Sequence, residues 1–171
     1  MIEQLLGDYK AMMDSIGAEL DKLGITGLET CDHLCYRVET VERYEELVGE
    51  LSDLGENIGS NIVSGRPITI FKLHEPLMWR DLSIACLELP APKDGSFYRE
   101  GWEHAEFVIP ELNEFREKHQ DKLNFNTKSM GRCLNPELGL KINDRYQVKF
   151  HPLHIMDVIE TEKQLKITQI D

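Results

Sequence analysis

Basic residues are in short supply: 19 lysines and arginines face 31 aspartates and glutamates, a formal net charge of −12 over 171 residues. Phosphate binding needs a basic face, so the deficit argues against a nucleic-acid partner and disfavours docking on an anionic membrane. No stretch approaches the roughly 18 consecutive apolar residues of a membrane span. The opening segment is interrupted by Glu3, Asp8, Lys10 and Asp14, so it lacks a signal-peptide core, and the cytoplasm is the expected location. The four cysteines (Cys31, Cys35, Cys86 and Cys133) contain no C-x-x-C pair, which argues against a disulfide framework and against a thiolate metal site. There is no G-x-S-x-G elbow, no P-loop and no dinucleotide-binding glycine pattern, and nothing local supports Cys35 or Cys86 as a nucleophile.

What remains is an ordinary globular composition, 41% apolar and 29% charged, long enough for one well-buried domain or two small modules sharing a core. Ile2, Leu5, Leu6, Tyr9, Met12, Met13, Ile16, Leu20 and Leu23 recur at helical spacing and predict one amphipathic helix over residues 1–24, stopped by Gly24. A strand at 31–38 leads through Thr40, a candidate N-cap, into a second helix that ends at Gly55. Three strands follow, around "SNIVSG", "PITIFKLH" and "LSIACLELP". Gly65 to Pro67 reads as a turn and "HEPLMWRDL" as a loop. The second half repeats the order: strand "EHAEFVI", a helix from Pro110, and short strands near 124–130, 138–143 and 145–151. The chain thus reads as a single α+β domain of paired βαβββ modules, 30–92 and 101–152, between the N-terminal helix and a C-terminal helix at 153–165.

Alternation along strands places His33, Cys35 and Arg37 on one face. It likewise places His104 with Glu106, isolates Glu88 from Leu87 and Leu89, and groups Gln147, Lys149 and His151. A wet sheet face is polar by default. Histidine at matching positions in both halves points instead to chemistry: two neutral imidazoles and a carboxylate hold a divalent first-row metal while leaving positions open. By the same alternation Asp32 and Glu103 should point away from their neighbouring histidines and so cannot orient them. His74, His119 and His154 read as surface or packing residues.

At these residues the chain resembles a known family. "DHLCYR", "SGRPITIFKLHEP", "LELPAP", "GWEHAEFV", "NPELGLKI" and "VKFHP" together are similar to the YecM-like proteins of the vicinal oxygen chelate superfamily, over nearly the whole chain. The resemblance implies two curved mixed sheets around a cavity, with metal ligands from the first and fourth strands of each module. His33, Glu88 and His104 match ligand positions. The last strand carries Lys149 and His151 where many metal-using relatives have glutamate, so His151 is a candidate ligand or acid–base group. Glu106 is a candidate general base. Arg37 and Lys149, and more weakly Arg66, are candidates for holding a substrate carboxylate. The implied protein is a divalent-metal enzyme (Fe, Mn, Ni or Zn) of isomerase or dioxygenase type, acting on a small oxygenated, carboxylate-bearing molecule. The rival is a binding or sequestering module of the same fold without tightly held metal. Both monomer and homodimer stay open, since the expected site needs no second chain.

Overall fold

The computed structural model describes residues 1–170. Along the chain run α1 (Ile2–Leu6), α2 (Lys10–Lys22), β1 (Cys31–Arg37), α3 (Val41–Leu51), β2 (Gly55–Val63), β3 (Arg66–Trp79) and β4 (Leu82–Pro90). These are followed by β5 (Gly101–Val108), α4 (Leu112–His119), β6 (Leu138–Lys141), β7 (Gln147–His151), α5 (Ile155–Leu165) and β8 (Gln169–Ile170). The strands form one curved, unclosed mixed sheet in the order β6-β7-β5-β1-β4-β3-β2-β8. Within each half the first and last strands pair in parallel, β1 with β4 and β5 with β7. The halves join through the antiparallel β1–β5 pair at the centre. The first module has its full βαβββ complement. In the second, the strand expected near 124–130 shrinks to a single bridge, Asn126 with Gly139. That segment is mostly polar, and the Asn126 side chain accepts from the Lys128 amide at 3.1 Å, which favours a turn.

Four other boundaries differ from the sequence reading. The N-terminal helix is two helices, because Gly7 has φ 78° and the Asp8 carboxylate accepts from the Lys10 amide at 2.8 Å, starting a new helix. Helix α3 begins as expected, with the Thr40 hydroxyl accepting from the Arg43 amide, but it ends at Leu51, and Gly55 opens β2. The residues read as a loop, "HEPLMW", extend β3 instead. Tyr9 ties Met78 down from both sides, its hydroxyl donating to the Met78 carbonyl at 3.0 Å and meeting the Met78 amide at 3.1 Å. The β2–β3 connection is a two-residue turn, Ser64 and Gly65, both at positive φ as a hairpin twist demands, so Arg66 is the first residue of β3.

The sheet's two faces differ in chemistry. Leu34, Tyr36, Leu87, Leu89, Ala105, Phe107, Val148 and Phe150 point to one side and merge with the buried stripes of α2 and α3 into the main core. On the other side lies a small apolar cluster of Ile70, Cys86 and Ile159, through which α5 docks. Gly59 makes this docking close: a Cβ there would sit 3.2 Å from Ile159 Cγ2. Between α5 and the centre of the sheet this face carries charge.

Candidate metal centre

Each histidine at the sheet centre is preceded by a β-bulge. In the β1–β5 ladder Cys31 pairs with Phe107 and His33 with Glu106, leaving Asp32 as an extra residue on β1. Farther along, Cys35 pairs with His104 and Tyr36 with Trp102, leaving Glu103 extra on β5. A bulge interrupts the alternation, so the acid and the histidine after it come to one side of the strand. Asp32 Oδ1 lies 2.8 Å from His33 Nδ1 and Glu103 Oε2 lies 2.9 Å from His104 Nδ1. This corrects the expectation that strict alternation separates these acids from their histidines. It also explains the acid-His echo in the two halves. A carboxylate that accepts at Nδ1 fixes the ring and turns Nε2 outward, as second partners of ligating histidines do.

The two Nε2 atoms converge on Glu106. Glu106 Oε1 stands 2.9 Å from His104 Nε2 and 3.4 Å from His33 Nε2. The donor atoms of His33, His104 and Glu106 all lie within 4.8 Å of one another, as do those of Asp32, His33 and His151. Glu88 Oε1 approaches His104 Nε2 at 3.7 Å. His151 Nε2 lies 3.4 Å from both Asp32 Oδ1 and Glu106 Oε2, while its Nδ1 donates to the Leu153 carbonyl at 2.7 Å. Lys149 Nζ donates to Glu106 Oε1 at 2.7 Å and reaches Glu137 at 3.4 Å. Neither His33 Nε2 nor His151 Nε2, both buried, has a well-formed hydrogen bond. Asp32 also holds the start of α5, its Oδ2 accepting from the Ile155 amide at 2.6 Å.

Burial disfavours charge on His33, His151, Glu103, Glu106 and Lys149, and their neighbours outweigh it. For His33 the Glu106 and Asp32 carboxylates raise the pKa well above the usual imidazole value, and for His151 the same two carboxylates raise it. Lys149 and the histidines hold Glu106 well below the usual carboxylate range, and His104 with Arg37 lowers Glu103 to about 2. The cluster is therefore a balanced set of charges, not a wet strand face.

A cavity of about 480 Å³ opens beside it. His33, Arg37, Arg66, Glu88, Glu106 and Lys149 line it, with the Gly131–Glu137 loop and α5 as walls. His104 and His151 lie behind this lining and are at most 1% exposed. Arg37 Nε donates to Glu103 Oε2 at 2.6 Å and its guanidinium sits 5.0 Å from the Tyr98 ring centroid. The three histidines read as bystanders lie apart from the cluster: His154 caps α5, His119 packs 4.9 Å from the Phe115 ring, and His74 is exposed. Sequence reasoning missed Asp32 and Glu103 as orienting groups, and Glu137 as a partner of Lys149. The first two had a signal in the repeated acid-His dipeptide; the third sits on a loop without pattern.

Pseudo-symmetry places the residues that differ between halves. Cys35 pairs with Glu88 as Glu106 pairs with Lys149, so Lys149 occupies the position in module two that Glu88 occupies in module one.

The YecM protein family profile matches residues 1–162. Protein YecM of Escherichia coli K12 is 30% identical over 159 residues, covering 82% of each chain. A structural-genomics target, Protein EC4020, superposes with a TM-score of 0.74 at 26% identity, covering 89% of this chain and 87% of its own. A variant of Streptomyces coelicolor methylmalonyl-CoA epimerase in complex with 2-nitronate-propionyl-CoA superposes at 0.55 with 14% identity, covering 74% of this chain and 98% of its own. That likeness is one of fold. The chain belongs to the YecM protein family, built on the vicinal oxygen chelate fold.

Proposed function

We propose that this protein is a divalent-metal-dependent enzyme of isomerase or dioxygenase type acting on a small oxygenated molecule bound in the cavity. The observation that carries the reading is the pair of bulge-oriented imidazoles whose Nε2 atoms converge on Glu106. The donor set fits a first-row ion: His33, His104 and Glu106 would hold it, and the buried His33 Nε2 without a good hydrogen bond is what such a position requires. When bound, the ion supplies Lewis acidity toward adjacent oxygens of the ligand. Asp32 and Glu103 keep the Nδ1 protons in place and so fix which nitrogen faces inward. Glu106 and Glu88 exchange the roles that the family resemblance implies: Glu106 joins the donor group, and Glu88, facing the cavity 3.7 Å from His104 Nε2, is positioned to take a proton from the ligand. His151 stands behind and balances Asp32 and Glu106. Lys149 neutralises Glu106 from the cavity side.

That last contact favours a second reading, a binding module without tightly held metal, because an ammonium already answers the central carboxylate. Metal content by plasma mass spectrometry, on protein purified without chelators, separates the two. The enzyme reading expects about one first-row ion per chain, lost in folded His33→Ala and His104→Ala variants. Absence of metal, with no uptake of manganese, iron, nickel or zinc on titration, sinks it in favour of the module.

A further inference from the structure

Four cations line the cavity: Arg37, Arg66, Arg132 and Lys149. Two are spent within the protein. Lys149 is bound to Glu106 and Glu137, and Arg132 Nη1 reaches Glu137 at 3.4 Å. The other two keep donors in hand. Arg37 is 9% exposed and held rigid by Glu103 on one edge and Tyr98 on its face, yet its Nη1 has no partner. Arg66 forms no ion pair among the described residues, and its buried Nε is also without a partner. A guanidinium N–H left unmade in the interior is costly, and two on one cavity call for an acceptor from outside the chain.

The register brings them to one end. Arg37 lies four residues beyond His33 on the same face of β1, about 13 Å along the strand. Arg66 opens β3, two residues before Ile68, which pairs with Pro90 at the end of β4. The arginines thus stand beyond His33 along the charged face, while Arg37 shares the Glu103 carboxylate with His104. Between the ends the β3–α5 side of the wall is apolar, lined by Ile68 and Ile70 of β3 and by Ile155, Val158 and Ile159 of α5. Of the cavity's other acids, Glu162 accepts from Asn61 at 2.6 Å, and Glu88 lies on the histidine side, 3.7 Å from His104 Nε2.

We infer that Arg37 and Arg66 form a carboxylate subsite, so the cavity takes a carboxylate carrying a hydrocarbon segment that lies along α5. The planar fork of a guanidinium matches a carboxylate, and Arg37 is pre-organised to present it. The inference rests on the metal reading only in directing the ligand's other end toward His33 and Glu106.

Octanoate is the probe, followed by titration calorimetry, with octanol and inorganic phosphate as comparisons and metal content measured on the same samples. Saturable octanoate binding, weakened about tenfold or more in Arg66→Gln and Arg37→Gln and weak for octanol, is the expected result. Arg66→Gln is the decisive variant, since it touches neither Glu103 nor a histidine; Arg37→Lys should also lose affinity because it keeps the charge without the fork. Octanoate binding unchanged in Arg66→Gln overturns the subsite, as does binding of inorganic phosphate with none of octanoate. Octanoate binding that depends on both arginines in protein without metal supports the subsite and counts against the metal centre alone.

Discussion

Replacing Asp32 with alanine tests the bulge mechanism most directly, because one buried carboxylate makes three contacts there. Its Oδ1 holds His33 Nδ1 at 2.8 Å and faces His151 Nε2 at 3.4 Å, and its Oδ2 accepts from the Ile155 amide at 2.6 Å. Alanine leaves the amide at the start of α5 without an acceptor and leaves His33 Nδ1–H bare in a site 1% exposed. A hydrogen bond to a charged group contributes about 1.5–3 kcal/mol, and a stranded buried donor costs about 1–3 kcal/mol. Relief of the carboxylate's own burial offsets part of this. The expected loss is about 3–5 kcal/mol, the range for breaking a buried ionic contact from one side. Asp32→Asn separates the contacts: its single carbonyl oxygen can serve the amide or the imidazole but not both, so about half the loss should return. Urea denaturation of chelator-treated protein measures these terms apart from metal. On the metal-loaded protein the alanine variant should also bind the ion about 10–100-fold more weakly, by releasing the ring. An alanine loss below about 1 kcal/mol, or asparagine and alanine variants of equal stability, would refute the argument that Asp32 links ring orientation to α5.

Two further expectations concern packing and pH. Gly17→Ala improves helix propensity by about 1 kcal/mol, yet the new Cβ would lie 2.6 Å from Trp79 Cη2 in a ring fixed by its 2.7 Å bond to Asp14. Overpacking should win by about 1–3 kcal/mol in a thermal or urea melt, and a stabilised variant would show that Trp79 yields. Glu162 is buried beside Asn61, and burial raises its pKa above 4.5 against the pull of the Asn61 amide. The folded state therefore binds this proton more tightly than the unfolded chain, and the group lowers stability as pH rises through the carboxylate range. Glu162→Gln should be more stable than the parent near pH ~7 and equal to it near pH ~3 in urea midpoints, and the opposite sign would show that the Asn61 bond dominates.

Much of the fold was legible because the sheet's two faces obey different chemistry. Alternation alone placed β1, β4, β5 and β7, and it put His33, Glu88, His104, Glu106 and Lys149 each on the polar face of its own strand before any register was known. What alternation could not deliver was the bulges, since a bulge is a break in the very period being read. Asp32 and Glu103 were assigned to the wrong side for that reason alone. The helix break at Gly7 turns on a local device, a positive φ followed by the Asp8 bond to the Lys10 amide, that helical periodicity does not register, and the extension of β3 to Trp79 depends on a tertiary contact, the Tyr9 clasp on Met78. The spent state of Lys149 depends on Glu137, which a loop delivers from outside the repeat. Charge type and face were readable; pairing was not.

Pseudo-symmetry turns the odd lysine of the last strand into a test. Relative to His33, module one offers Cys35 two residues on and Glu88 across from it; relative to His104, module two offers Glu106 and, across from it, Lys149. The carboxylate that module one keeps on its fourth strand has, in module two, moved over by one strand, and a lysine fills the vacated position. If Glu106 serves the histidines because of this exchange, returning the carboxylate to β7 should compensate for removing it from β5. Glu106→Gln should abolish tight metal uptake. Lys149→Glu crowds a third acid against Glu106 and Glu137, so the metal-free form should lose stability. The double variant Glu106→Gln, Lys149→Glu restores one carboxylate beside two imidazoles and should bind metal more tightly than Glu106→Gln. The coupling expected between contacting residues in such a cycle is about 0.5–3 kcal/mol, readable by competition with a chelator of known affinity. A double variant that binds no better than Glu106→Gln would mean that the position across from Glu106 cannot serve the ion. Lys149 would then be a fixed part of the site, neutralising Glu106 in its own right, and the balance would tip to a cavity that binds its ligand without metal.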